Sequence, residues 1–372
     1  MKGNLNIGTY LGIPVKIHWT FGLLILFVGY VGVTNGLNGK EILAFGMYML
    51  VLFFCVVLHE YGHAIMARKY GVKTRDIILS PIGGVARLES IPEEPYKELF
   101  IALAGPLVNV IIAVTLSIVT LSIYNGGIFP SSESLELLKY PSEFIRFVIV
   151  MNIALFVFNL VPAFPMDGGR VLRSLLAIKI GRSKATRVAS MIGRILAIGF
   201  IVFGLINSHI LLTIIGVFIY VTAGSENKSV MMTEVLSNTK VTEIVNPNYT
   251  IINVDDPIEL PMNIYLRGGE KNFLVADHTG AIVGVIPELF LIDAIKNNVK
   301  NLLAGQRMSD KHVFLPEEST LMDVYKLMSS QGMSIISIVN QDGDRIGIID
   351  REGVSRFLEI RFNNSKAKKS PV

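Results

Sequence analysis

His59-Glu60-Tyr61-Gly62-His63 lies inside a long apolar run, and no other feature of the chain restricts its possible folds as much. From Ile42 to Ala67 the only ionisable side chains near neutral pH are these two histidines and Glu60, apart from the thiol of Cys55. Such a run reads as a membrane-crossing helix, where charge is costly and marks a functional site by default. On a helix, residues four apart stack on one face, so His59 and His63 can turn two imidazole nitrogens to one metal ion. Glu60 projects beside that pair, where it can act as general base on a water that zinc makes acidic. The plainer alternative is that the three side chains satisfy one another by hydrogen bonds. In hydrocarbon, unpaired polar groups cost on the order of several kcal/mol and need a reason to be there. A catalytic zinc ion takes three protein ligands, so a third must come from elsewhere in the chain.

At 372 residues, a mean hydropathy of +0.53 and 17% charged residues exclude a soluble protein of ordinary composition. The charge-poor runs fall in residues 1–225, whereas 226–372 have a soluble composition. The expected fold is a polytopic α-helical membrane domain of about six transmembrane helices with a small β-hairpin element, followed by a soluble α/β module. The division expected is 1–225 for the membrane domain, 226–240 for a linker, 241–300 and 301–362 for two repeats, and 363–372 for a basic disordered tail. Lys366, Lys368 and Lys369 of that tail can meet anionic lipid. The single cysteine, Cys55, excludes an intrachain disulfide. The net charge of +4 comes partly from basic clusters at helix ends, and no nucleic-acid motif accompanies it, so no nucleic-acid partner is expected. The first apolar run lacks a small-residue cleavage site and reads as a retained anchor.

The six spans are expected near 17–35, 41–67, 98–124, 143–164, 185–206 and 209–225, with Asn207-Ser208 as the turn between the last two. Lys2 and Lys16 precede the first span, Arg68, Lys69, Lys73 and Arg75 follow the second, and six basic residues from Arg170 to Arg187 follow the fourth. The loops on the other side carry only Lys40 and Lys139. Both termini and the soluble module are therefore expected in the cytoplasm of a multi-pass cell-membrane protein, with the metal on the order of 10 Å from the cytoplasmic boundary.

Two further segments carry site residues. Asp76 to Arg87 has β-branched residues flanking Pro81 and Gly83-Gly84, and reads either as a plain surface hairpin or as an edge strand for an extended peptide. In Phe158 to Arg170, Pro162 and Pro165 break the helix while Gly168 and Gly169 let the chain turn closely against a neighbour. Asp167 thus stands on irregular backbone at the membrane edge, as a third zinc ligand or as a helix cap for 169–180. Asn109 and Asn159 can both serve as helix-to-helix hydrogen-bond pairs, the role preferred for Asn109; Asn159 can instead donate to an oxyanion. Gly105-Pro106 reads as a kink or packing notch. His18, His209, His278 and His312 have no ligand-like neighbours.

His59 to His63, Ala104 to Asn109 and Asn159 to Gly169 together resemble the site-2 proteases, intramembrane zinc metalloproteases, over most of residues 1–225. The resemblance implies one zinc ion on His59, His63 and Asp167, Glu60 as the base, and Asn159 holding the substrate or its oxyanion. It also implies that Gly83-Gly84 belong to the loop receiving an unwound substrate strand. In the soluble half, residues 270–295 align with 333–358 at an offset of 63, which pairs Gly280 with Gly343 and Gly284 with Gly347. This resembles a tandem CBS pair, a module that implies adenine-nucleotide binding and pairing with a second copy. The usual phosphate and ribose positions hold Pro287 and Phe290 in one copy and Asp350 and Gly353 in the other, so dimerisation or protein contact is the preferred role. The main expectation is a zinc endopeptidase cutting transmembrane segments of membrane-protein substrates in the lipid bilayer, regulated by the CBS pair. A CBS-regulated transporter and a non-catalytic scaffold are the alternatives.

Overall fold

A computed structural model describes residues 4–81, 83–89, 92–124, 128–129 and 141–367. Lys2, Lys139, Lys368 and Lys369 lie outside the described residues. The chain divides into two compact units, Met1–Lys228 and Ser229–Val372.

The first unit opens on β1 (Asn4–Tyr10) and β2 (Ile13–His18), followed by α1 (Phe21–Thr34) and α2 (Gly39–Lys69). The Asn38 side chain accepts from the N–H groups of Lys40 and Glu41 while Glu41 accepts from Asn38, a reciprocal cap that starts α2. Arg68 and Lys69 end it, cations at the negative end of the helix dipole. Along α2, Leu43, Met47, Leu50 and Phe54 are exposed on one stripe, whereas Cys55, His59, His63 and Ala67 are buried on another. An apolar stripe of that length suits a helix whose solvent on that side is lipid.

Then come β3 (Thr74–Ser80), β4 (Gly83–Leu88), α3 (Pro95–Tyr124), α4 (Pro141–Asn159), α5 (Asp167–Ile180), α6 (Arg182–Ile206) and α7 (Ile210–Asn238). Among the described residues, five helices, α2, α3, α4, α6 and α7, are long and apolar enough to cross a membrane. The expected first span is shorter, since Ile17 and His18 belong to β2, and the 14 residues of α1 reach only about 21 Å. The expected fourth ends at Asn159 instead of 164, because residues 160–166 turn around Pro162 and Pro165. The turn at Asn207-Ser208 is present, with Ser208 at φ 58°. The 226–240 stretch expected as a linker is helical through Asn238, an uninterrupted continuation of α7.

The expected hairpin is half of a larger sheet ordered β1-β2-β3-β4. β1–β2 and β3–β4 are antiparallel, and β2–β3 is parallel. The N-terminal hairpin has no counterpart in the sequence reading. Ile13, Val15, Ile77 and Leu79 bury one face of the sheet against Phe53, Tyr61 and Ala64. Asp76, fully buried, ties three strands: Lys16 Nζ donates to it at 2.7 Å and Arg87 Nε and Nη2 at 2.6 and 2.5 Å. The Arg87 guanidinium, helped by Lys16, holds the Asp76 carboxyl down at about 2. β4 is left at the edge of the sheet.

The second unit repeats one pattern twice. β5 (Ile251–Asn253), α8 (Glu259–Leu266), β6 (Phe273–Ala276), β7 (Ile282–Ile286) and α9 (Glu288–Lys296) form the first copy. β8 (Phe314–Pro316), α10 (Leu321–Ser330), β9 (Ile335–Val339), β10 (Arg345–Asp350) and α11 (Arg351–Ala367) form the second. Each three-stranded sheet pairs its first two strands in parallel and its last two antiparallel. The copies also exchange their leading segments: Asn246 bridges Ile348 and, in the symmetry-related place, Ser309 bridges Val285. Each core is therefore completed by the other copy's chain, so neither half closes by itself. Asp350 Oδ1 accepts from the Gly353 N–H at 2.7 Å at the start of α11. The tail expected as disordered from 363 is helical through Ala367, because α11 continues.

Candidate metal centre

Three elements bring the site together. α2 supplies His59 and His63 one turn apart, and the broken segment after α4 delivers Asp167 as the first residue of α5. Nε2 of His59 and Nε2 of His63 are 3.1 Å apart, and Oδ2 of Asp167 lies 3.2 and 3.0 Å from them. Tetrahedral zinc with bonds of about 2.0–2.1 Å has ligand-to-ligand edges of about 3.3 Å, so this triangle fits the ion. The donor set of two imidazoles and one carboxylate also suits zinc, and all three residues are buried. Nδ1 of His63 donates to the Ile101 carbonyl at 2.7 Å, which leaves Nε2 as the lone-pair nitrogen aimed at the centre. The cap alternative for Asp167 is not what forms: Met166 is the cap residue of α5, and the Asp167 carboxylate faces the imidazoles.

Glycines make the close approaches possible. A Cβ on Gly105 of α3 would overlap the His63 ring, and one on Gly62 would sit 2.6 Å from the Ala104 carbonyl oxygen. The notch read at Gly105-Pro106 is thus the surface against which His63 packs. Gly168 and Gly169 abut the backbone of Leu160 to Phe164, which fixes where α5 starts.

His59, Glu60, His63, Gly84, Asn159 and Asp167 all line one cavity of about 190 Å³. Glu60 Oε2 accepts from the Ala86 N–H at 2.7 Å, and a Cβ on Gly84 would lie 2.9 Å from Glu60 Cγ. The edge strand β4 therefore rests directly on the glutamate. Gly83, at φ 137°, forms the turn into that strand and is not among the lining residues. Asn109 departs from its expected role: it is fully buried, and its amide has no hydrogen-bond partner among the described residues.

Residues 47–139 and 126–202 match peptidase family M50, and residues 299–360 match the CBS domain. A zinc metalloprotease of Methanocaldococcus jannaschii is 32% identical over 362 residues, which cover 97% of each chain. The chain belongs to peptidase family M50. A second relative, a putative zinc metalloprotease of Synechocystis, is 27% identical and matched over 96% of each chain. The solved site-2 protease of M. jannaschii is 37% identical over 60% of this chain and 95% of that one, with a TM-score of 0.45. Family membership and the long apolar helices make the protein a multi-pass M50 zinc metalloprotease that carries a CBS domain, and the transporter and scaffold alternatives give way to an enzyme.

Several site features were not read from the sequence. Arg170 lines the cavity three residues after Asp167, an i, i+3 spacing that could have revealed it once Asp167 was placed on a helix. Glu98, 1% exposed, accepts from the fully buried Arg173, which also donates to Glu226. The backbone donor of Ala86 and the acceptor of Ile101 carry no sequence signal.

Proposed function

We propose that this M50 enzyme hydrolyses peptide bonds within membrane-spanning segments of other proteins, with zinc on His59, His63 and Asp167 and Glu60 as general base. The observation that carries the reading is the convergence of the three ligand atoms and Glu60 on one cavity walled by α2 and the edge strand β4. Bound zinc supplies Lewis acidity, polarising a peptide carbonyl and making water acidic enough for a carboxylate to deprotonate. Glu60 takes that proton, its carboxylate oriented by the Ala86 N–H. Asn159 offers its side-chain amide to the developing negative charge.

A helical substrate must be unwound before its amide is accessible, and β4 is suited to hold the extended product of unwinding. Gly84, Ala86 and Leu88 alternate along the strand and all line the cavity. Their backbone groups share the edge not used by β3, so a peptide strand laid there pairs with the groups beside the Ala86 N–H that Glu60 holds, and runs past Glu60. Gly83-Gly84 begin the strand, and the missing side chain of Gly84 lets it rest against Glu60 and Val56. The basic clusters after α2 and before α6 favour a cytoplasmic location for the termini and the CBS repeats. The CBS pair would regulate cleavage and pair with a second copy, acting through protein contact more than through adenine nucleotide.

The test is cleavage of a single-span membrane protein by the purified enzyme in lipid vesicles. The expected result is product with zinc, none after chelation, and recovery on adding zinc back. Cleavage that survives chelation would refute the reading.

A further inference from the structure

Asp167 presents its two oxygens to different partners. Oδ2 faces the imidazoles at 3.0 and 3.2 Å, whereas Oδ1 is turned toward Nη1 of Arg170 at 3.9 Å. Arg170 stands one turn along α5, so both side chains leave the same face of the helix. On its other side, Nε of Arg170 lies 3.8 Å from Oε1 of the buried Glu98. Nε and Nη2 are buried and make no hydrogen bond among the described residues. The guanidinium, with 18% of its side chain exposed, is held between two carboxylates by charge. In that low-dielectric position its field on Asp167 is far stronger than it would be in water. Glu98 is itself fixed by the fully buried Arg173, so the cation has a firm counterweight.

We infer that Arg170 is a positioning residue for the metal centre: its charge draws Oδ1 of Asp167 away and keeps that carboxylate a one-oxygen ligand. The inference rests on the zinc reading of His59, His63 and Asp167. A carboxylate free to bind through both oxygens would fill the coordination position that a catalytic zinc site keeps open. Arg170 prevents this by offering Oδ1 a competing partner. Lysine keeps the charge at this position, whereas glutamine and methionine remove it at similar length.

The experiment uses the full chain in detergent, with Arg170→Lys, Arg170→Gln and Arg170→Met beside the parent and Asp167→Ala. Zinc affinity is measured by competition with a chelating indicator, and ligand number from the visible absorption of the cobalt-loaded protein. Loss of the charge is expected to tighten zinc by about tenfold, because a like-charged neighbour is gone and a second carboxylate oxygen is free to bind. It should also weaken the cobalt bands as the site gains a ligand. Arg170→Lys should stay within a few-fold of the parent on both readouts. Parent-like affinity and spectra in both Arg170→Gln and Arg170→Met overturn the inference, whether or not cleavage is lost. If Asp167→Ala loses zinc in that same assay, the metal site stands and only the role of Arg170 falls. A parent protein that binds no zinc would sink both.

Discussion

The membrane unit and the repeat unit treat buried polarity in opposite ways. In the first, buried ionisable side chains are gathered into groups: His59 and His63 with Asp167, Asp76 with Lys16 and Arg87, Glu98 with Arg173. In the second, the cores around Val324 and Ile338 and around Ile252 and Phe273 are apolar, and the buried polar side chains among the described residues are Thr239 and Ser337. Burying charge is costly unless it is paired or employed, so the membrane unit's polar groups report what it does. The repeat's apolar periodicity reports how it folds and leaves its ligand unspecified.

That contrast breaks most visibly on the metal ligands. Asp167→Ala is expected to empty the zinc site and lower cleavage by about 10³-fold or more. Asp277→Ala, which removes acceptor bonds to Thr279 and Ala281 in an exposed turn, should leave zinc content and turnover unchanged. Metal analysis and turnover on both variants check the pair.

Glycines sharpen it. Gly105→Ala drives a methyl group into the His63 ring and should cost zinc affinity as well as cleavage. Gly343→Ala, at φ 86° with open space around it, should cost about 1 kcal/mol of repeat-unit stability and no zinc. Calorimetry with zinc titration distinguishes them.

The Asp76 cluster gives a pH dependence. Its carboxyl is held at about 2, below the ordinary 3.8, so its contribution is complete above the ordinary value and fades as pH falls toward 2. Asp76→Asn should lower membrane-unit stability by about 2 kcal/mol near neutrality, and the gap from the parent should close in acid. Denaturant midpoints at a series of pH values measure this.

The smallest effect is expected in the repeat. Its cavity of about 440 Å³ is lined by Asp350, Glu352 and Arg356, and the Asp350 carboxylate already caps α11 where an anion would bind. ATP or AMP should therefore leave the melting temperature within error, and a nucleotide-dependent rise would show that this unit does take such a ligand.

Much of the architecture was readable because its signals are local. The apolar runs gave the long helices, the offset of 63 gave two like copies, and His59 to His63 gave one face of one turn. What escaped depends on distant partners. The N-terminal hairpin was hidden because Asn4 to His18 is short and borders an apolar helix, and its pairing partner β3 arrives more than fifty residues later. α7 was cut short at 225 because the loss of hydropathy there looked like a boundary, yet the helix continues with polar residues through Asn238. Arg170 was read only as a sign of membrane orientation, since nothing in its own neighbourhood reveals Glu98. The exchange of leading segments between CBS copies likewise pairs residues roughly a hundred positions apart in one bridge, which no local pattern encodes.

The most direct test is zinc content and single-span substrate turnover of Glu60→Gln in lipid vesicles, measured on one preparation. The account predicts one zinc per chain, as in the parent, with turnover reduced by about 10²–10⁴-fold, the usual worth of a general base. Parent-like turnover with zinc in place would contradict it.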